Sequence, residues 1–122
     1  MKKKILALED DDINQELIEL YLMDDYEIKI VSSVAEAINA LSESSYDLVI
    51  SDLNLGTDSK SDGIFFLKYL RSDHKFKHIP IVAYSGYITP NMSNENDFDA
   101  CISKPITKSD FLKTIANVIE QH

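Results

Sequence analysis

One cysteine, Cys101, is the entire thiol content of this 122-residue chain, which excludes an internal disulfide and offers no metal-ligand spacing. A lone cysteine next to apolar neighbours reads as a small buried residue rather than a reactive thiol. Basic side chains are also scarce: 12 against 21 acidic ones, a net charge of -9. Nucleic acid and anionic membranes both require a basic footprint, so neither is expected as a direct partner, whereas a cation or a basic protein surface is compatible. Long apolar runs are missing as well. The basic start Met1-Lys2-Lys3-Lys4 leads into only Ile5-Leu6-Ala7-Leu8 before the acids begin. That run is too short for a signal peptide or a membrane span, and the expected location is the cytoplasm. No internal repeat, low-complexity tract or linker divides the chain, so a single domain over 1–122 is expected, with no output domain.

What is present is the composition of a globular domain: 44% apolar and 27% charged residues, enough to build a core. Residues 4–8 read as a first strand, and the helix from about Ile13 to Met23 is expected to turn Ile13, Leu17, Leu20 and Tyr21 inward, with Asp11 or Asp12 as its N-cap. Glu27–Val31 alternates apolar and charged residues, the pattern of a half-exposed edge strand. Ser33 with Glu36 forms a capping box for a helix that buries Val34, Ile38 and Leu41.

The strand at 47–51, containing the uninterrupted Leu48-Val49-Ile50, reads as buried on both faces of a parallel sheet and stops at Asp52. A polar loop follows to Gly63, then a helix from about Ile64 to Arg71 with Ile64, Phe65, Leu67 and Leu70 as its apolar positions. The fourth strand is expected over Ile79–Ala83, with Pro80 near its start and Tyr84, Ser85 and Gly86 at its carboxyl end. The segment from Ile88 to Asp99 is thin in apolar residues, which predicts a short or frayed helix. Ala100–Ser103 is a fifth strand, ending at Lys104-Pro105. Thr107 caps a last helix with Phe111, Leu112, Ile115, Val118 and Ile119 inward. Five β-α units with short connections predict an α/β, doubly wound five-stranded parallel sheet with helices on both faces.

The residues that follow the strands are Glu9 and Asp10, then Asp52, Ser85 and Lys104. Carboxyl ends of parallel strands share one edge, so these side chains can meet there. Three adjacent carboxylates cannot all stay ionised without a cation, and a hard ion such as Mg2+ suits oxygen donors. Lys104 and the Ser85 hydroxyl suit an anion bridged to that metal, and a carboxylate is a known nucleophile type. Taken one at a time these residues carry little: acidic runs are usually solvated, Asp52 alone would serve as a turn residue, and His74, His78 and His122 have no partners at ligand spacing.

Together, Glu9-Asp10, Asp52, Ser85 and Lys104-Pro105 resemble the receiver domain of two-component response regulators, over essentially the whole chain. The resemblance implies the flavodoxin-like strand order 2-1-3-4-5. It makes Asp52 the phosphoacceptor, taking a phosphoryl group from the phosphohistidine of a histidine kinase or a histidine phosphotransfer protein. Asp10 would bind Mg2+ directly and Glu9 through water, Asp52 would complete the metal's carboxylates, and Asn54 would offer its backbone carbonyl. Ser85 would be the switch hydroxyl and Lys104 the phosphate contact.

Such a domain is not an enzyme on separate substrates. It promotes only its own aspartyl phosphorylation and dephosphorylation, and signals by protein contact as a monomer or weak dimer. The alternative is a phosphorylation-independent pseudo-receiver, a protein-binding module, against which the intact Asp10, Asp52, Ser85 and Lys104 argue. A phosphohydrolase would want a second carboxylate two residues beyond Asp52, where Asn54 stands. Three departures from the family flank its signalling face: Cys101 replaces the frequent aromatic three positions before Lys104, Gly56 replaces the frequent proline in a lengthened loop, and the fourth-helix segment is shortened.

Overall fold

A computed structural model describes residues 2–52, 62–85, 98–103 and 106–121. Five parallel strands form one sheet in the order β2-β1-β3-β4-β5: β1 Lys3–Leu8, β2 Tyr26–Val31, β3 Leu48–Ser51, β4 Ile81–Ser85 and β5 Ala100–Ser103. The described helices are α1 Asp12–Leu22, α2 Val34–Glu43, α3 Asp62–Ser72 and α4 Lys108–Glu120. The predicted helix between Ile88 and Asp99 lies outside the described residues, apart from Phe98 and Asp99.

The central strands carry uninterrupted buried apolar runs, 5–8, 48–50 and 81–84, because both faces of the sheet are covered there. Successive side chains of β1 go to opposite layers. Ile5 and Ala7, with Leu48, Ile50, Val82 and Tyr84, pack under Ile18 and Leu22 of α1 and Phe111, Ile115 and Val118 of α4. Leu6 and Leu8, with Val49 and Ile81, meet Ala37, Ala40 and Leu41 of α2 and Phe66, Leu67 and Leu70 of α3. β2 is an edge strand, its exposed Glu27 and Lys29 alternating with half-buried Ile28 and Ile30.

The inward face of α1 differs from the expected one. Ile13 and Leu20 are 69% and 59% exposed, while Ile18 and Leu22 are fully buried. The helix carries two apolar stripes, and its rotational setting is fixed by Gln15, whose amide donates to the Glu9 carbonyl (2.6 Å) and the Ser32 hydroxyl (3.1 Å). With Gln15 turned toward the sheet, the residues three and seven positions on share its face.

Strand β4 also begins later than expected, at Ile81 instead of Ile79. Pro80 has no N–H to donate, and the Ile79 carbonyl accepts from the Arg71 guanidinium at 2.8 Å instead of a neighbouring strand. In α3 the fully buried aromatic is Phe66. The side chains of Ile64 and Phe65, expected inward, lie outside the described residues. In α2 the buried positions are Ala37, Ala40 and Leu41, with Val34 and Ile38 only partly covered.

The caps agree with the expected chemistry. The side chains of Asp11, Ser33 and Thr107 accept from the backbone N–H three residues on, at 2.9, 3.2 and 3.2 Å. Glu36 reaches back to the Ser32 N–H (3.0 Å) rather than to that of the cap residue itself.

Candidate functional site

The site is built from the ends of β1 and β3. Their ladder runs from Ile5↔Leu48 to Leu8↔Ser51, so the next residues, Glu9 and Asp52, emerge side by side. Backbone bonds hold both: Asp52 N–H donates to the Leu8 carbonyl (3.0 Å) and Glu9 N–H to the Val31 carbonyl (2.9 Å). The carboxylate of Glu9 folds back to accept from the Asp11 N–H at 3.1 Å. Gln15 ties the same residue's carbonyl to the start of α1, a contact that no sequence motif announces.

Glu9, Asp10 and Asp52 each place a carboxylate oxygen so that all three lie within 4.8 Å of one another. Glu9 and Asp52 are 1% and 5% exposed, and Asp10 opens to solvent. Two like charges at that spacing repel by about 3.5 kcal/mol at an effective dielectric near 20. A divalent cation between them replaces repulsion by attraction. The donors are all carboxylate oxygens, the set preferred by Mg2+ and Ca2+ over the softer metals. Open access at Asp10 and enclosure at Glu9 leave one side for water or a ligand oxygen. The residues therefore fit a hard divalent ion.

Three of the predicted site residues are thus brought together. Ser85 is the last residue of β4, paired with Ser103 of β5, and so stands at the same edge of the sheet, although its side chain is not among those described. Asn54 and Lys104 lie outside the described residues. His74 and His78 are exposed, as expected of surface residues, and His122 is outside the described set.

Cys101 is half-buried on β5 rather than enclosed, and burial holds its thiol above the ordinary pKa. That shift lowers the thiolate fraction and argues against a reactive role. The expectation of a buried cysteine is corrected here because β5, like β2, is an edge strand, with one long side of its backbone uncovered by the sheet.

A parallel sheet in this order, with acids clustered at its carboxyl edge, defines the flavodoxin-like class of doubly wound proteins, in which ligands bind at that edge. Within that class, the chain belongs to the response regulator receiver domain family, whose model matches residues 5–116. It is 28% identical to the polar-differentiation response regulator DivK of Brucella ovis over 123 residues, covering 98% of each chain. The chemotaxis protein CheY4 of Vibrio cholerae superposes with a TM-score of 0.88 at 24% identity, over 97% of this chain and 99% of that one. The receiver domain of the sensor histidine kinase PA1611 of Pseudomonas aeruginosa, solved with a magnesium ion in its active site cleft, superposes with a TM-score of 0.86 at 20% identity, covering 98% of this chain and 99% of that chain.

Proposed function

We propose that this receiver domain accepts a phosphoryl group on Asp52 from the phosphohistidine of a histidine kinase or a histidine phosphotransfer protein, with Mg2+ as cofactor. The observation that carries the reading is the convergence of Glu9, Asp10 and Asp52 within 4.8 Å at the carboxyl edge of the sheet. The magnesium in the cleft of the PA1611 receiver supports the choice of ion.

Asp52, 5% exposed and held by its backbone bond to Leu8, supplies the carboxylate nucleophile on this reading. An O–P bond forms as the P–N bond to the donor imidazole breaks, and the imidazole nitrogen leaves with the electron pair. Bound Mg2+ would supply charge neutralisation for the phosphoryl oxygens and the acidic cluster. Glu9, Asp10 and Asp52 would hold the ion and the Asn54 carbonyl would add a further oxygen, while the Ser85 hydroxyl and Lys104 ammonium would address the phosphoryl oxygens.

Catalysis on this reading consists of positioning and charge, and the domain acts on no separate substrate. The phosphorylated form signals by protein contact in the cytoplasm. Among the described residues no helix is long and apolar enough to cross a membrane.

The test is incubation with Mg2+ and acetyl phosphate followed by intact-mass measurement. One added phosphoryl group is expected in the wild type and none in Asp52→Ala. Asp10→Ala should lower Mg2+ affinity and labelling together. Absence of an adduct in the wild type, or an adduct surviving Asp52→Ala, refutes the assignment and leaves a protein-binding module.

A further inference from the structure

One polar side chain closes the acidic turn that follows β1. Gln15, half-buried near the start of α1, donates through its backbone N–H to the Asp11 carbonyl (2.9 Å) and through its side-chain amide to the Glu9 carbonyl (2.6 Å). A backbone carbonyl only accepts, so the NH2 end of the amide faces Glu9, and the same nitrogen donates to the Ser32 hydroxyl at 3.1 Å. Ser32 is anchored in turn, its N–H donating to the Glu36 carboxylate of α2 at 3.0 Å. Gln15 therefore spans the turn from Glu9 to Asp11 and ties it to the residue that follows β2.

Glu9 is held in three ways as a result. Its N–H donates to the Val31 carbonyl (2.9 Å), its carbonyl accepts from Gln15, and its carboxylate accepts from the Asp11 N–H (3.1 Å). At 1% exposure the side chain is enclosed by protein, and a different orientation would cost the bond to Asp11. Asp10 opens to solvent, but it lies between two residues that are both bonded to Gln15.

The two hard ions that suit carboxylate oxygens make different demands on such a frame. Mg2+ requires a near-ideal octahedron at roughly 2.0–2.1 Å, whereas Ca2+ accepts roughly six to eight oxygens at about 2.3–2.6 Å in a flexible arrangement, often with both oxygens of one carboxylate. A carboxylate fixed in one orientation serves the stricter ion. It gives the adaptable one little advantage.

We infer that Gln15 is a positioning residue for the acidic cluster and sets its preference for Mg2+ over Ca2+, by clamping the backbone of Glu9 between α1 and Ser32. The inference rests on the reading of Glu9, Asp10 and Asp52 as the Mg2+ site of a phosphoacceptor.

The test is Gln15→Met, which keeps the length of the side chain and removes both donations, titrated with Mg2+ and with Ca2+ by calorimetry beside the wild type. The Mg2+ dissociation constant should rise about 3- to 10-fold, the range spanned by one neutral hydrogen bond, and that for Ca2+ by less than about twofold. Urea unfolding without metal reports any loss of stability separately. A purely structural role would lower the urea midpoint and leave the ratio of the two affinities where it was.

Unchanged Mg2+ affinity in Gln15→Met, or an equal loss for both ions, overturns the inference while the phosphoacceptor reading stands. A wild-type protein that binds no Mg2+ overturns both. If Gln15→Met does not fold, Gln15→Asn decides, since its amide is one methylene shorter and is withdrawn from the Glu9 carbonyl. A loss of affinity confined to Mg2+ supports the inference there, and an equal or absent loss overturns it.

Discussion

Replacing Arg71 by alanine should destabilise the fold by about 2–3 kcal/mol and leave Mg2+ affinity unchanged. The Arg71 guanidinium donates to the carbonyls of Lys77 (3.0 Å) and Ile79 (2.8 Å) and to Asp99 Oδ2 (3.0 Å). The same carboxylate oxygen accepts from the Ile81 N–H at 2.7 Å, and Asp99 N–H donates to the Ile81 carbonyl at 2.7 Å. Three hydrogen bonds from a charged donor would be worth roughly 1.5–3 kcal/mol each when enclosed. Both side chains are 24% exposed, so water competes, and about 1 kcal/mol per bond is the better figure. The ion pair itself should account for about 0.5–1 kcal/mol, read as the coupling between Arg71→Ala and Asp99→Asn.

Urea unfolding followed by far-UV circular dichroism measures these terms. With a slope near 1.5 kcal/mol/M, the Arg71→Ala midpoint falls by roughly 1.3–2 M. Mg2+ titration by calorimetry supplies the control, because Glu9, Asp10 and Asp52 follow the carboxyl ends of β1 and β3, whereas the clamp sits at the amino ends of β4 and β5. A loss below about 0.5 kcal/mol, within the range of ordinary surface substitutions, would refute the clamp. A loss of metal affinity would refute its independence from the acidic cluster.

Mg2+ at about 100 times its dissociation constant should stabilise the wild type by about 2.7 kcal/mol, and Asp52→Asn by clearly less; an equal shift in thermal or urea midpoints for the two proteins would place the ion elsewhere. Phe66→Ala should cost about 3–5 kcal/mol in urea unfolding, since Phe66 is fully buried between α2 and the sheet; a loss under about 1 kcal/mol would contradict that placement. Cys101 should alkylate with iodoacetamide at pH 8 more slowly in the folded chain than in urea, because burial raises its pKa. The sign for stability follows: the contribution linked to the neutral thiol is full below the ordinary thiol pKa and fades as pH rises through the raised one. Faster alkylation in the folded chain would reverse the direction assigned here.

The architecture was legible because a parallel sheet covered on both sides requires apolar residues at every central position. Leu48-Val49-Ile50 satisfies that requirement over a span too short for a helix. The capping oxygens of Asp11, Ser33 and Thr107 were equally readable, since the bond each makes is local. The inward face of α1 was not. Ile13, Leu17, Leu20 and Tyr21 form one apolar stripe and Ile18 and Leu22 another, with Tyr21 packing against the core beside the second, and periodicity cannot choose between two stripes on one helix. The choice is made by Gln15 bonding to Glu9 and Ser32, a contact between segments distant in sequence. The start of β4 escaped for a similar reason: Ile79 has strand propensity, but its carbonyl belongs to Arg71.

The acidic cluster was legible at the level of topology, before any side-chain geometry, because residues following parallel strands must share an edge. The positions of Ser85 and Ser103 are not self-sufficient in that way. They depend on the register of β4 against β5, which runs from Val82↔Ala100 to Ser85↔Ser103. A slip of one residue would turn each side chain to the other face of the sheet. The first contacts of that ladder are the bonds between Asp99 and Ile81, and the oxygen that accepts from Ile81 is the one held by Arg71. An arginine on α3 and an aspartate 28 positions away form no recognisable motif, yet they fix the strand pairing on which one side of the candidate site is built. The Arg71–Asp99 clamp therefore acts on the β4–β5 side of the carboxyl edge through backbone register, and leaves the acids that follow β1 and β3 undisturbed.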